Sequence, residues 1–160
     1  MSEQRQELIG DVGRATQAYQ RATDGFDDAV GQLLGLNPTD LRCLDWLTEG
    51  PMSAGDLGAA TGLSSAATTT LLDRLEKKGF VERTRDTADR RRVVVRLTRQ
   101  GNDTLMELYG PLGLEGSDLL AAFSDDELVR MRHFLAEATR LVERHLERVR
   151  TSDPDRFRPS

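Results

Sequence analysis

The sequence is poor in the residues on which several classes of protein depend. Its one cysteine, Cys43, excludes an internal disulfide framework and any cysteine-rich zinc site. Aromatic residues make up only 5% of the chain, so deep aromatic-lined pockets should be few. No apolar run comes near the length that spans a bilayer, and the polar N-terminus lacks the apolar segment of a signal peptide. These absences predict a soluble protein of the cytoplasm with no membrane partner.

Positive charge is in the minority, and it is concentrated in one block. The chain of 160 residues, about one domain's worth of sequence, carries 22 Lys and Arg against 27 Asp and Glu, a net charge of −5. Residues 64–99 hold ten of the cations and only five acids, whereas both flanks are acidic. A local positive face matters more for phosphate binding than the global sum. The block is therefore either a nucleic-acid interface or a solvated charged surface.

Two long apolar stripes lie at opposite ends of the chain. Over residues 8–30, apolar side chains recur at spacings of three and four, which predicts one helix that ends near residues 35–38. Its glycines each cost about 1 kcal/mol relative to alanine and leave room for a break near residues 23–25. The second stripe, over residues 128–149, follows a capping box that begins at Ser124.

The centre of the chain alternates helix signals with turn residues and includes two strand signals, which together favour a mainly α, α+β fold class. The predicted elements are a helix with Thr39 as its N-cap that stops at Gly50-Pro51, a short helix opened by Ser53, a helix over residues 65–78 followed by Gly79, strands over residues 80–85 and 92–97, and a helix capped by Thr98 that runs through Leu108.

The order short helix, tight turn at Gly62, and second helix with a polar outer face is that of a helix-turn-helix, and the hairpin after it is a wing. Such a second helix lies in the major groove of double-stranded DNA, where hydroxyls and methyl groups can contact base edges. The helix-start amides also suit a phosphate. A generic packed helical fold, with Ser and Thr as ordinary caps, is the alternative. The outward-facing residues are Ser65, Ala66, Thr69, Thr70 and Arg74.

The hairpin tip is the second candidate contact. Arg90, Arg91 and Arg92 follow Asp89 there. An arginine on a projecting loop can enter the narrow minor groove, and an acidic neighbour can hold it extended through a charge-assisted hydrogen bond. The alternative is a solvated turn with a weak surface ion pair.

Several stretches at these spacings together resemble the MarR (multiple antibiotic resistance regulator) family. The resemblance covers residues 36–101 closely and the flanking helices loosely. It is carried by LSS at residues 63–65, LEKKGFVER at residues 75–83, the wing pattern Asp86-x-x-Asp89-x-Arg91, the pattern Leu97-Thr98-x-x-Gly101, and FSDDEL at residues 123–128.

The resemblance implies a winged helix-turn-helix protein that regulates transcription as a homodimer. It implies a ligand-responsive repressor on an inverted-repeat operator, with a DNA-binding region over residues 37–101 and a dimerisation region built from residues 1–36 and 102–150. The aperiodic tail, residues 151–160, is expected to be disordered. The family's wing arginine falls on Arg91, beside Arg90 and held by Asp89. The implied DNA-contact residues on the recognition helix are Ser64, Ser65, Ala66, Ala67, Thr69 and Thr70.

The chain departs from the family pattern at three positions. Many relatives carry Thr where this chain has Ala67, and Arg or Pro where it has Thr70, so its base contacts are expected to differ from theirs. Gly58 replaces a commoner alanine in the short helix, and we expect it to loosen that helix slightly.

Family members often bind small apolar or aromatic anions where the dimerisation helices meet the winged region. In this chain the residues implied for such an effector site are Tyr19, Phe26, Trp46 and Tyr109, and plain core packing is the alternative for each. Cys43 is interpreted as a small buried hydrophobe rather than an oxidant sensor.

No pattern in the sequence points to catalysis, a metal site or a cofactor. His133 and His145 are too far apart along the chain for a local metal pair, and neither a phosphate-binding glycine loop nor a nucleophile elbow is present. The remaining alternative to a regulator is a winged-helix adaptor that binds protein instead of DNA, against which the arginine-rich wing argues.

Overall fold

The computed structural model describes residues 2–86, 93–153 and 156. Over these residues the chain is mainly helical with one antiparallel hairpin, which confirms the predicted fold class. It divides into two compact units, residues 1–110 and residues 111–160. The elements in chain order are α1 (Glu3–Leu34), α2 (Pro38–Thr48), α3 (Ala54–Thr61), α4 (Ser65–Lys77), β1 (Val81–Arg85), β2 (Val93–Leu97), α5 (Arg99–Leu120) and α6 (Asp125–Arg150).

Helix α1 is continuous, as the single apolar stripe predicted, and the break for which its glycines left room near residues 23–25 does not form. An isolated glycine costs about 1 kcal/mol, too little to interrupt a cooperative ladder of backbone bonds. Gly31 has a positive role, because a Cβ there would lie 2.9 Å from the carbonyl oxygen of Leu36. The helix ends at Gly35, whose φ of 63° is the left-handed conformation that glycine adopts readily.

Helix α2 begins earlier than predicted, since its N-cap is Asn37 and not Thr39. The Asn37 side chain accepts a hydrogen bond from the Asp40 amide at 2.9 Å, and the Asp40 carboxylate accepts one from the Asn37 amide at 3.1 Å. Pro38 at the first helical position needs no amide partner there. This reciprocal box therefore outcompetes a Thr39 cap.

The core of the first unit lies between α2, α3, α4 and the hairpin. Each fully buried leucine or valine there contributes about 1.5–3 kcal/mol. The most deeply buried apolar side chains are Leu44, Leu57, Leu72, Leu75, Val81 and Val95.

The hairpin pairs β1 and β2 with Val81 opposite Leu97 and Arg85 opposite Val93. Met52, in the loop before α3, adds an isolated bridge to Val95. Both strands lie within the predicted spans. The predicted tip residues Asp89, Arg90 and Arg91 lie outside the described residues, as does most of the predicted disordered tail.

Helix α5 starts as predicted, with the Gly101 amide donating to the Thr98 hydroxyl at 2.9 Å. It does not end at Leu108 but continues through Pro111 to Leu120. Proline lacks one backbone donor, which weakens the ladder locally, while the turns on either side keep their own bonds. The stop predicted from Gly110 and Pro111 was therefore wrong.

Helix α6 has the predicted start. The amide and the hydroxyl of Ser124 both donate to the Glu127 carboxylate, at 2.9 and 2.6 Å, and these bonds lower the pKa of Glu127. The structure describes all of α6, and none of its residues is buried. None of the helices in the described ranges is long and apolar enough to cross a membrane.

Candidate nucleic-acid interface

Helix α4 separates a buried face from an exposed one. Thr68, Leu71, Leu72 and Leu75 are buried, as the sequence predicted. The candidate contact residues at its start are all exposed. They are Ser64, Ser65, Ala66, Ala67, Thr69 and Thr70.

The two exposed threonine hydroxyls already use their donors within the helix. Thr69 donates to the Ser65 carbonyl at 3.0 Å, and Thr70 donates to the Ala66 carbonyl at 3.1 Å. Each threonine thus presents an acceptor oxygen and a methyl group. An acceptor suits the amino groups of adenine or cytosine, and a methyl group suits thymine.

The start of α4 leaves backbone donors available. The Ser64 hydroxyl accepts from the Ala67 amide at 3.3 Å, and the Ser64 carbonyl accepts from the Thr68 amide at 2.8 Å. The amides of Ser65 and Ala66 precede these bonds and face the helix end, where the dipole favours an anion. This arrangement suits a DNA phosphate.

The turn before α4 depends on two glycines. Gly62 ends α3 with φ 74°. A Cβ on Gly58 would lie 2.8 Å from Thr68 Oγ1 and 3.4 Å from the Leu63 carbonyl oxygen. Gly58 therefore lets α3 and α4 approach closely around buried Thr68. Helix propensity predicted only that Gly58 loosens α3 and gave no sign of this packing role.

Arg74 is partly exposed, and its guanidinium pairs with a buried carboxylate. Its Nη2 lies 2.5 Å from Asp40 Oδ1 and its Nε 3.3 Å from Asp40 Oδ2, which ties α4 to α2. Sequence reasoning missed this partner. A signal was present, because Asp40 shares the helical stripe of Leu44 and Leu47, and a buried carboxylate needs a cation.

Arg83 ties the wing to the same helix. Its guanidinium bonds to Asp73 at 2.6 Å and also to Glu76, both on α4. Arg96 and Glu82 pair across the hairpin at 2.7 Å. Part of the charge in the basic block is thus used to hold the recognition helix and the hairpin together.

A cavity of about 1170 Å³ opens between α1, α2 and the first half of α5. Tyr109 lines it and donates to Asp27 at 2.8 Å. Phe26 packs edge-on against Tyr109, with ring centroids 5.3 Å apart. Tyr19 is 75% exposed, and neither it nor Trp46 lines the cavity. Of the four predicted effector residues, Tyr109 alone lines the cavity, and Phe26 contacts Tyr109 without lining it.

The cavity is acidic. Asp24, Asp27, Asp28 and Asp45 line it, against the single cation Arg42. Burial, together with the charges of Glu49 and Asp27, raises the pKa of Asp45. Burial and the bond to Asp27 also raise the pKa of Tyr109, which keeps its hydroxyl protonated.

Cys43 is almost fully buried beside this region. Burial, with the charge of Asp40, raises the pKa of its thiol to about 11. A thiol in that environment is protonated at neutral pH and reacts slowly with oxidants. The geometry supports the packing interpretation of Cys43.

Comparisons with known proteins converge on one family. The family model described as "MarR family" matches residues 34–92. The chain is 43% identical over 126 residues to the HTH-type transcriptional regulator YcgE of Bacillus subtilis, covering 78% of this chain and 82% of that protein. It is 26% identical over 139 residues to the HTH-type transcriptional repressor MdtR of the same organism, covering 86% and 89% of the two chains.

Solved structures give the same result. A MarR family protein from Bacillus stearothermophilus superposes with a TM-score of 0.60 at 25% identity, covering 89% of this chain and 99% of that one. The transcriptional regulator BldR from Sulfolobus solfataricus superposes with a TM-score of 0.53 at 26% identity, covering 90% and 99%.

Proposed function

Since this chain belongs to the MarR family of winged helix-turn-helix transcription regulators, we propose that it acts as a homodimeric, ligand-responsive repressor on an inverted-repeat operator. The family consists of DNA-binding regulators and not of enzymes. The resemblance inferred from the sequence is confirmed. A repressor of this kind needs a DNA-reading face, a dimer interface and an effector site.

The exposed start of α4 is the observation that carries the proposal. Residues 64–67, 69 and 70 are exposed and present methyl groups, acceptor oxygens and helix-start amides, while Thr68 and the leucines that follow it anchor the helix in the core. We propose that this face enters the major groove and that Arg91, held by Asp89, enters the minor groove beside it. Arg90 would contact the adjoining backbone.

The terminal helices support the proposal that separate segments of the chain bind DNA and form the dimer. Residues 37–101 would bind DNA, and residues 1–36 and 102–150 would form the dimer. Large apolar side chains remain exposed on both terminal helices, among them Leu8, Ile9 and Val12 on α1 and Leu135 and Val142 on α6. Exposed apolar faces of this extent mark protein–protein interfaces.

The cavity beside α2 is the proposed effector site. Its four carboxylates would repel the anion that the family resemblance implied, and they favour a cation with an apolar body that packs against Tyr109. A repressor role is consistent with the name of the relative MdtR.

The test is a selection of duplexes from a random library by the wild-type chain, followed by footprinting. The expected product is an inverted repeat with half-site centres about 10 bp apart, because two symmetric recognition helices would read it. A direct repeat, or no enrichment, would contradict the proposal. The protein–protein adaptor alternative predicts no enrichment.

A further inference from the structure

The carboxylate of Asp40 is the one charged group that is buried among the described residues, and it is 1% exposed. It accepts three hydrogen bonds, from the Asn37 amide at 3.1 Å, from Arg74 Nε at 3.3 Å and from Arg74 Nη2 at 2.5 Å. Two of these come from a residue 34 positions further along the chain. A single side chain therefore caps α2 and holds α4.

Arg74 lies on the DNA-facing side of α4. It follows Ala66 and Thr70 at successive intervals of four residues, so the three share one helical stripe. Its fork is nevertheless occupied on one edge by Asp40, in the two-point geometry that fixes an arginine most firmly. An arginine held in this way cannot readily reorient to bind a phosphate or a base.

We propose that Arg74 is a positioning residue, which acts on DNA through Asp40 and makes no DNA contact of its own. The Asp40–Arg74 pair sets the orientation in which α4 presents Thr69 and Thr70 to the groove. This inference rests on the proposed function, because it takes α4 as the DNA-reading helix.

The experiment uses the full chain and a duplex selected by the wild type from a random library, with a scrambled duplex of equal length for comparison. The variants are Asp40→Asn, Arg74→Gln, the double variant, and Glu49→Gln as a charge-neutralising control at the end of the same helix. Affinities are measured at several salt concentrations, below the melting temperature of every variant. Asp40→Asn keeps an oxygen for the Asn37 amide and so spares the cap.

We expect each single variant to weaken binding to the selected duplex about tenfold and to leave the scrambled duplex within about twofold. The double variant should bind no more weakly than Arg74→Gln alone, because the two residues act as a unit. The slope of log affinity against log salt should stay at the wild-type value. Glu49→Gln should bind like the wild type.

Three results would overturn the inference. In the first, Arg74→Gln lowers the salt slope by about 0.9 per half-site while Asp40→Asn binds as well as wild type, which identifies a direct phosphate contact. In the second, both duplexes lose affinity equally, which identifies a role in stability alone. In the third, the two losses add, which shows that the residues act independently.

Arg74→Lys is the variant to use if Arg74→Gln does not fold, since lysine keeps the positive charge and can donate to Asp40 from a single nitrogen. Its affinity should be intermediate, with an unchanged slope, and a wild-type affinity for it would contradict the need for two-point geometry. If the wild type enriches no duplex at all, the proposed function fails first. The two failures are therefore distinguishable.

Discussion

At the scale of single residues, helix propensity and packing favour different residues at position 58. Helix propensity favours alanine, and the packing of α3 against α4 favours Gly58. Alanine there would gain up to about 1 kcal/mol in helix propensity, but its Cβ would lie 2.8 Å from Thr68 Oγ1. We expect Gly58→Ala to destabilise the protein by about 1 kcal/mol, because Thr68 is buried and the core cannot expand freely. Thermal denaturation measures the change.

The same helix offers a matched control. A Cβ on Gly55 would meet its nearest atom, Ser53 Oγ, at 3.8 Å, an ordinary contact. Gly55→Ala should therefore stabilise the protein by about 0.5–1 kcal/mol. Equal effects of the two substitutions would show that the close approach of α3 and α4 at Gly58 does not matter.

The two arginines of the wing should differ in their effect on DNA binding. Arg83 is held by Asp73 and Glu76, so Arg83→Ala removes exposed ion pairs worth little each. Arg91→Ala should cost about 1.5–3 kcal/mol of binding per half-site, if the family's minor-groove contact is retained. Titrations of both variants on one duplex decide between them, and a wild-type affinity for Arg91→Ala would remove the wing from the interface.

Sequence patterns identified single residues well where one local rule decides. The buried face of α4 follows from spacing, and the caps at Ser53, Ser64 and Thr98 follow from residue type. The Asp40–Arg74 pair joins residues 34 positions apart and has no local signature beyond a carboxylate on an apolar stripe. Gly58 likewise has its reason in a neighbouring helix.

At the scale of elements, α2 connects the two proposed sites. One side of the helix lines the cavity with Leu41, Leu44 and Asp45, and Asp40 on the same helix holds the recognition helix. An effector that displaces α2 would change the orientation of α4 through this ion pair and through the core that the two helices share. The proposed ligand response would then need no contact between the effector and the DNA-reading residues.

The carboxylate of Asp45 is expected to lower the stability of the folded chain while it contributes to the proposed effector site. It lies near the like-charged Asp27 and Glu49, and partial burial is the largest cause of the upward shift of its pKa. Because its folded pKa is raised, the ionised form opposes folding at neutral pH, and protonation relieves this as the pH falls through the raised value.

We expect Asp45→Asn to raise the folding stability at pH 7 by about 0.2–0.5 kcal/mol, the usual size of a like-charge repulsion one helical turn apart. It should change the stability little at about pH 3, where the carboxyl is protonated.

The same variant should bind the cationic probe tetraphenylphosphonium more weakly than the wild type does, with benzoate as the anionic comparison. Denaturation at the two pH values and calorimetric titration measure these effects. Tighter binding of benzoate than of the cation to the wild type would contradict the proposed effector class.

Helix boundaries were harder to predict than helix faces. The stop of α5 was predicted from glycine and proline and was wrong, and the break that glycine left possible in α1 does not form. In both places the helical ladder tolerates a local loss of about 1–3 kcal/mol. The N-cap of α2 lies at Asn37 rather than Thr39 because the reciprocal box there satisfies two amides instead of one.

At the scale of the whole molecule, the positive side chains of residues 64–99 serve two purposes, since some pair with acids within the chain and the others can contact DNA. The chain has a net charge of −5, and within the described ranges Arg74, Arg83 and Arg96 of the basic block are paired with acids. The chain as a whole therefore does not attract DNA, and the attraction must come from the local excess of cations in residues 64–99. Two chains acting together would double the contacts with DNA.

The exposed stripe of α6 predicts a dimer. The helix carries Leu135, Val142 and Val149 at intervals of seven, all exposed, and such a stripe packs against another helix in a coiled-coil manner. Light scattering of the wild type at micromolar concentration should give twice the mass of 17.8 kDa.

Val142→Arg should give the monomer mass and lose affinity for the inverted repeat, because an unpaired charge would enter the apolar seam. Glu147→Arg, a larger change of charge roughly opposite on the same helix, should remain dimeric. A monomeric wild type, or a Val142→Arg variant that stays dimeric and binds DNA normally, would place the interface elsewhere or show that one chain suffices.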